Sequence, residues 1–129
     1  MTEHPNAATA RRSYEAWNIG GMDVLRDGFA EDVVFHFAGN NAMSGTYRGR
    51  DAVMDALARA SQGWSTHTDV ESFLVSDDHI MVFHHGTGEH EGTPYDVFPV
   101  IAMKLDSDGK VTEAWNLAND QRAWDQFWS

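Results

Sequence analysis

The chain has 129 residues, 42% of them apolar, with seven Phe, five Trp and three Tyr, which is enough to bury a sizeable core in one domain and excludes intrinsic disorder. Twenty acidic against nine basic side chains give a formal charge of −11, which repels phosphate backbones and anionic lipid and so excludes nucleic acid and membrane surfaces as partners. The absence of cysteine excludes thiol catalysis, disulfides and thiolate metal sites, and the opening MTEHPNAATARRSYEAW has neither a signal-peptide nor a membrane-span pattern, so one cytoplasmic domain over residues 1–129 is expected.

Pro5 suits the first turn of a helix on which Ala7, Ala10, Tyr14 and Trp17 recur at spacings of three and four, and Gly20-Gly21 end it. Met22, Leu25 and Phe29 mark one face of a short second helix that stops near Ala30. Val33 to Phe37 is β-branched and aromatic, and reads as a strand. Gly39 to Gly45 is a loop. Gly49-Arg50-Asp51 opens a third helix with Val53, Met54, Leu57 and Ala60 on its buried side. The second half is strand-like at 66–76, 80–88, 93–105 and 110–118. Turn chemistry separates these segments at Ser76-Asp77-Asp78, Glu91-Gly92 and Asp106-Ser107-Asp108-Gly109. The acidic pairs Glu31-Asp32 and Asp77-Asp78 both read as turns. A last helix from about Asp120 to Trp128 gathers Ala123, Trp124 and Phe127 on one side. Helices followed by a meander of long strands is an α+β pattern, with a curved, mostly antiparallel sheet wrapped around the helices and a pocket at its open end.

Several segments carry a resemblance: Tyr14-Glu15-Ala16-Trp17-Asn18, Gly20-Gly21-Met22-Asp23, Phe29-Ala30-Glu31-Asp32-Val33-Val34, Tyr47-Arg48-Gly49-Arg50-Asp51-Ala52-Val53 and Asp108-Gly109-Lys110-Val111. In this order they resemble the SnoaL-like family of the nuclear-transport-factor-two-like superfamily, which also holds ketosteroid isomerase and limonene epoxide hydrolase. The resemblance covers nearly the whole chain and implies a cone-shaped α+β fold. It does not imply one reaction, because that superfamily hosts isomerases, cyclases, hydrolases, dehydratases and plain binding domains.

In such a cone the concave sheet face and the first helix line the pocket. With Glu91-Gly92 as a hairpin tip, His90 pairs with Thr93, Gly88 with Tyr95, Gly86 with Val97, His84 with Pro99 and Val82 with Ile101. Val82, Val97, Ile101 and Met103 then share the covered face with His84, and His85 falls on the other face beside Phe98. The same counting turns Ala114, Asn116 and Ala118 inward and Trp115 and Leu117 outward, and sets Phe35 and Phe37 opposite Val34 and His36.

Few inward residues are polar. His84 is open between an acid/base, for which an imidazole is suited near neutral pH, and a core histidine satisfied by one hydrogen bond. Asp120 resembles the acid/base aspartate of SnoaL-like cyclases and is equally a good helix N-cap. Tyr14, Trp17, Phe35, Phe37, Met54 and Leu57 are expected to line the substrate site, together with Val97, Ile101, Met103 and Asn116.

By alignment, the functional positions of ketosteroid isomerase fall on Phe37, Ile101 and Ser13, so its base and its oxyanion hole are both lost. The strand from Val97 to Met103 carries no inward charge, which removes the limonene epoxide hydrolase mechanism. No metal and no cofactor are expected: only His84, His85 and His90 cluster, and two of these point apart. Gly86-Thr87-Gly88 lacks the context of a phosphate loop. The outward row Phe83, His85, Phe98, Val100, Trp115 and Leu117 is too apolar to leave in water, and the resemblance implies a homodimer through that convex face. The expected function is a cofactor-independent acid/base enzyme acting on a small hydrophobic molecule such as a polyketide-like, terpenoid or aromatic ketone. The alternative is a small-molecule-binding or dimerisation module without turnover.

Overall fold

Proline at the first turn and an apolar stripe start helix α1, Pro5–Ile19, in a computed structural model that describes residues 3–129. Its buried face carries Ala7, Ala10 and Ala16, small residues that let the helix lie close on the sheet. Asn18 then ties its C-terminal end to the sheet. The amide Nδ2 donates to the Thr68 carbonyl at 2.7 Å and Oδ1 accepts from the Thr68 N–H at 2.9 Å. Helix α2 follows at Met22–Gly28, and helix α3 spans Arg50–Gly63 with Val53, Ala56 and Ala60 buried. Met54 and Leu57 pack against the core while half-buried.

The strands are β1 Phe29–Phe37, β2 Gly45–Arg48, β3 Ser65–Val75, β4 His79–His90, β5 Thr93–Val97, β6 Val100–Leu105 and β7 Val111–Leu117. They form one sheet in the order β2-β1-β7-β6-β4-β3, with β5 pairing the far half of β4. β1 and β7 run parallel, and every other pair is antiparallel. Register shifts leave extra unpaired residues between Phe29 and Val34 on β1, between Val70 and Ser72 on β3, and at Thr112 on β7, and such residues bend strands. The fold is therefore α+β, a mixed and mostly antiparallel sheet curled around the helices.

Three expectations change. β1 begins at Phe29 rather than Val33, so Glu31 and Asp32 are exposed strand residues within the irregular stretch, not a turn. A short edge strand, β2, occupies the end of the glycine-rich loop, where composition hides it. The segment 93–105 is two strands because Pro99 has no N–H to give the ladder. Its carbonyl still accepts from the His84 N–H at 3.3 Å, so the pairing continues across the break.

Helix α4, Gln121–Trp128, closes the cone by burying Trp124, Phe127 and Trp128. Tyr95 stacks on Phe127 with centroids 4.1 Å apart, and the indoles of Trp124 and Trp64 donate to the carbonyls of Ala38 and Phe127. Among the described residues no helix is long and apolar enough to cross a membrane.

Candidate functional site

Alternation along β4 builds one wall. Ile80, Val82, His84 and Gly86 face the helices, with Val82 fully buried and the His84 residue 6% exposed. The hairpin pairs Gly86 with Val97, Gly88 with Tyr95 and His90 with Thr93. Gly86 and Gly88 are where the wall is tightest: a Cβ at Gly86 would press on the Tyr95 ring, and one at Gly88 would fall on the Ser65 carbonyl. Packing, not phosphate binding, explains the Gly-Thr-Gly run.

Between this wall and α1 and α3 lies an apolar cavity of about 150 Å³. Of the residues expected to line it, Tyr14, Trp17, Phe35, Phe37, Leu57, Ile101, Met103, Asn116 and His84 do so. Val97 is buried and Met54 half-buried, but neither reaches the cavity. Further wall comes from Tyr95 and from Trp124 and Trp128 of α4. Strand parity cannot reveal a helix docking from the chain end, although the aromatic spacing of 124, 127 and 128 marks it as amphipathic.

Among the described residues, four polar atoms in this wall are buried without a hydrogen-bond partner: the Tyr14 hydroxyl oxygen, His84 Nδ1, Asn116 Oδ1 and, on α4, Trp128 Nε1. The Tyr14 and His84 rings lie 5.5 Å apart, tilted by 48°. Burial lowers the His84 pKa from 6.5 to about 4, so the imidazole is neutral at physiological pH and offers one donor and one acceptor nitrogen. Burial likewise pushes the hydroxyls of Tyr14 and Tyr95 above the usual phenol range, keeping both protonated. Buried polar groups are normally paired, so unpartnered atoms gathered around one cavity point to a ligand or water that completes them.

Asp120 is not among these groups. It is exposed at the N-terminus of α4, where a side-chain oxygen accepts from the Ala123 N–H at 3.1 Å, and it does not line the cavity. His85 sits on the convex face, bonded to Asp96 at 2.5 Å and stacked on Phe98. His36 bonds Glu113 at 2.7 Å and stacks on Trp115, and His90 packs on Trp64. Among the described residues no three His, Asp or Glu side chains converge as metal ligands would.

The SnoaL-like domain model matches residues 10–114, which spans all the strands but the end of β7. The chain belongs to the SnoaL-like family. An uncharacterized protein of Mycobacterium tuberculosis is 26% identical to this SnoaL-like chain over 132 residues, the whole of both chains. Bal32a, from a soil-derived mobile gene cassette, is 31% identical with 96% of each chain covered and a TM-score of 0.90. TerC, co-crystallized with polyporic acid, shares the fold at a TM-score of 0.83, with 19% identity over 96% of this chain and 98% of that one.

Proposed function

We propose that this SnoaL-like protein is a cofactor-independent enzyme that moves a proton on a small hydrophobic molecule held in the cone, such as an aromatic, terpenoid or polyketide-like ketone. The observation that carries this reading is the set of unpartnered polar atoms on Tyr14, His84 and Asn116, with Trp128 Nε1, in a mainly apolar cavity. His84 takes the proton: a neutral imidazole has a lone pair to accept it. Its depressed pKa makes it a weak base, so the reaction depends on stabilising the oxyanion that forms as the proton leaves. Tyr14, kept protonated, donates to that oxygen at low dielectric. The amide of Asn116 fixes the substrate's other polar group. Asp120 stays a helix cap in this reading.

Exposed Phe83, Phe98 and Leu117 share the convex face, with fractional exposures of 37%, 49% and 47%. A second copy of the chain would cover them in a homodimer that leaves the cavity on the opposite face.

Conversion of a panel of neutral ketones, enols and epoxides tests the reading. For any substrate turned over, His84→Ala should lower the rate by at least ~100-fold, the lower range for one proton-transfer group. Binding across the panel with no conversion by the wild type would replace catalysis with a binding module.

A further inference from the structure

The cavity's lining is as informative for what it lacks. Among the described residues no Lys, Arg, Asp or Glu lines it, and its one titratable base is neutral at physiological pH. A buried carboxylate or ammonium needs a partner charge or several hydrogen bonds, and the neutral polar groups of this lining cannot supply a countercharge. The protein's charge of −11 further opposes an anion on the way in.

Size and polarity add two more constraints. An apolar cavity of about 150 Å³ is one that takes benzene, and the cavity here is about 150 Å³. Asn116 on β7 pairs with Ile101 on β6, which pairs with Val82 on β4. Val82 therefore stands two strands from Asn116, roughly 10 Å at the usual ~4.8 Å spacing, and His84 lies two residues further along β4, which puts its backbone roughly 12 Å from that of Asn116. Tyr14 and His84 meet the ligand at one end, and Asn116 meets it from the other side. Tyr14 offers a donor and Asn116 Oδ1 an acceptor, so the ligand must bring an acceptor to one end and a donor to the other.

Resting on the reading of this cavity as the functional site, we infer that it takes a neutral molecule of one ring with a carbonyl-type acceptor at one end and a hydroxyl-type donor at the other, and rejects carboxylates and fused rings.

Isothermal titration of the intact protein at pH 6.5 with four probes tests this: 4-hydroxyacetophenone, its anionic counterpart 4-hydroxybenzoate, acetophenone without the donor, and the two-ring 2-acetyl-6-hydroxynaphthalene. The first should bind best, with 4-hydroxybenzoate at least ~100-fold weaker and each of the other two at least ~10-fold weaker. Asn116→Leu should bring 4-hydroxyacetophenone and acetophenone to within about twofold of each other. If that variant fails to fold, Tyr14→Phe should instead weaken both ketones by a similar factor. Equal binding of the carboxylate, tighter binding of the naphthalene, or no binding by any probe overturns the inference. No turnover enters this test, so binding in the expected order without proton transfer would remove the enzymatic reading alone.

Discussion

Lowering the pH should cost this protein stability through one imidazole in addition to its carboxylates. In the unfolded chain His84 takes up a proton near pH 6.5, whereas in the folded chain burial holds it neutral to about pH 4. Above pH 6.5 both states leave it neutral and it contributes nothing to the pH dependence. Between 6.5 and 4 the unfolded chain binds a proton that the folded chain does not, so stability falls as pH falls. Below about 4 both states are protonated and the loss levels off. The gap from 6.5 to about 4 corresponds to about 3 kcal/mol, a sizeable share of the 5–15 kcal/mol typical of domains. The residue is 6% exposed, so solvent screening removes little of that value. Urea unfolding of the wild type and of His84→Leu at pH values from 8 to 4 isolates the effect, because the acidic side chains are common to both. The variant should lose about 3 kcal/mol less across the interval. Parallel curves, or a His84 ring that titrates near 6.5 by NMR, would refute the reasoning.

Asp120→Asn should leave stability and activity near wild type, because asparagine caps as well as aspartate, while Asp120→Ala should cost about 1 kcal/mol in urea unfolding. Leu117→Glu should give monomers by analytical ultracentrifugation at micromolar concentration with little change in thermal stability, since this side chain is half exposed on the convex face. Gly88→Ala should destabilise by about 2 kcal/mol or more, because the added methyl meets the Ser65 backbone rather than a movable side chain; circular dichroism melts would show it.

What was legible in the sequence was whatever short-range chemistry determines. Glu91 and Gly92 both adopt positive φ, 49° and 81°, a hairpin turn of the primed type that sets the register of β4 against β5. That register puts His84 inward and His85 outward, and the β6–β7 ladder turns Asn116 inward by the same alternation. The irregularities were harder to read. The bend in β1 places charged Glu31 and Asp32 inside a strand, where composition argues for a turn. Docking of α4 through Trp124 and Trp128 is tertiary, so neither residue's place in the cavity follows from its own neighbours. The two readings of Asp120 share one local pattern, and only the direction of α4 relative to the cavity separates them. The unpaired state of Tyr14, His84 and Asn116 lay beyond sequence altogether, because it depends on which partners three distant segments fail to supply.

In the proposed reaction His84 accepts a proton from a bound ketone while Tyr14 holds the oxygen. Deuterium incorporation into the methyl group of 4-hydroxyacetophenone in D2O, followed by NMR, measures that step whether or not the natural substrate is known. Wild-type protein should exchange the methyl protons well above the buffer rate, with His84→Gln losing at least ~100-fold of the enhancement and Tyr14→Phe losing a substantial part of it. Exchange at the buffer rate while the ketone occupies the cavity, or undiminished exchange in His84→Gln, would contradict the account.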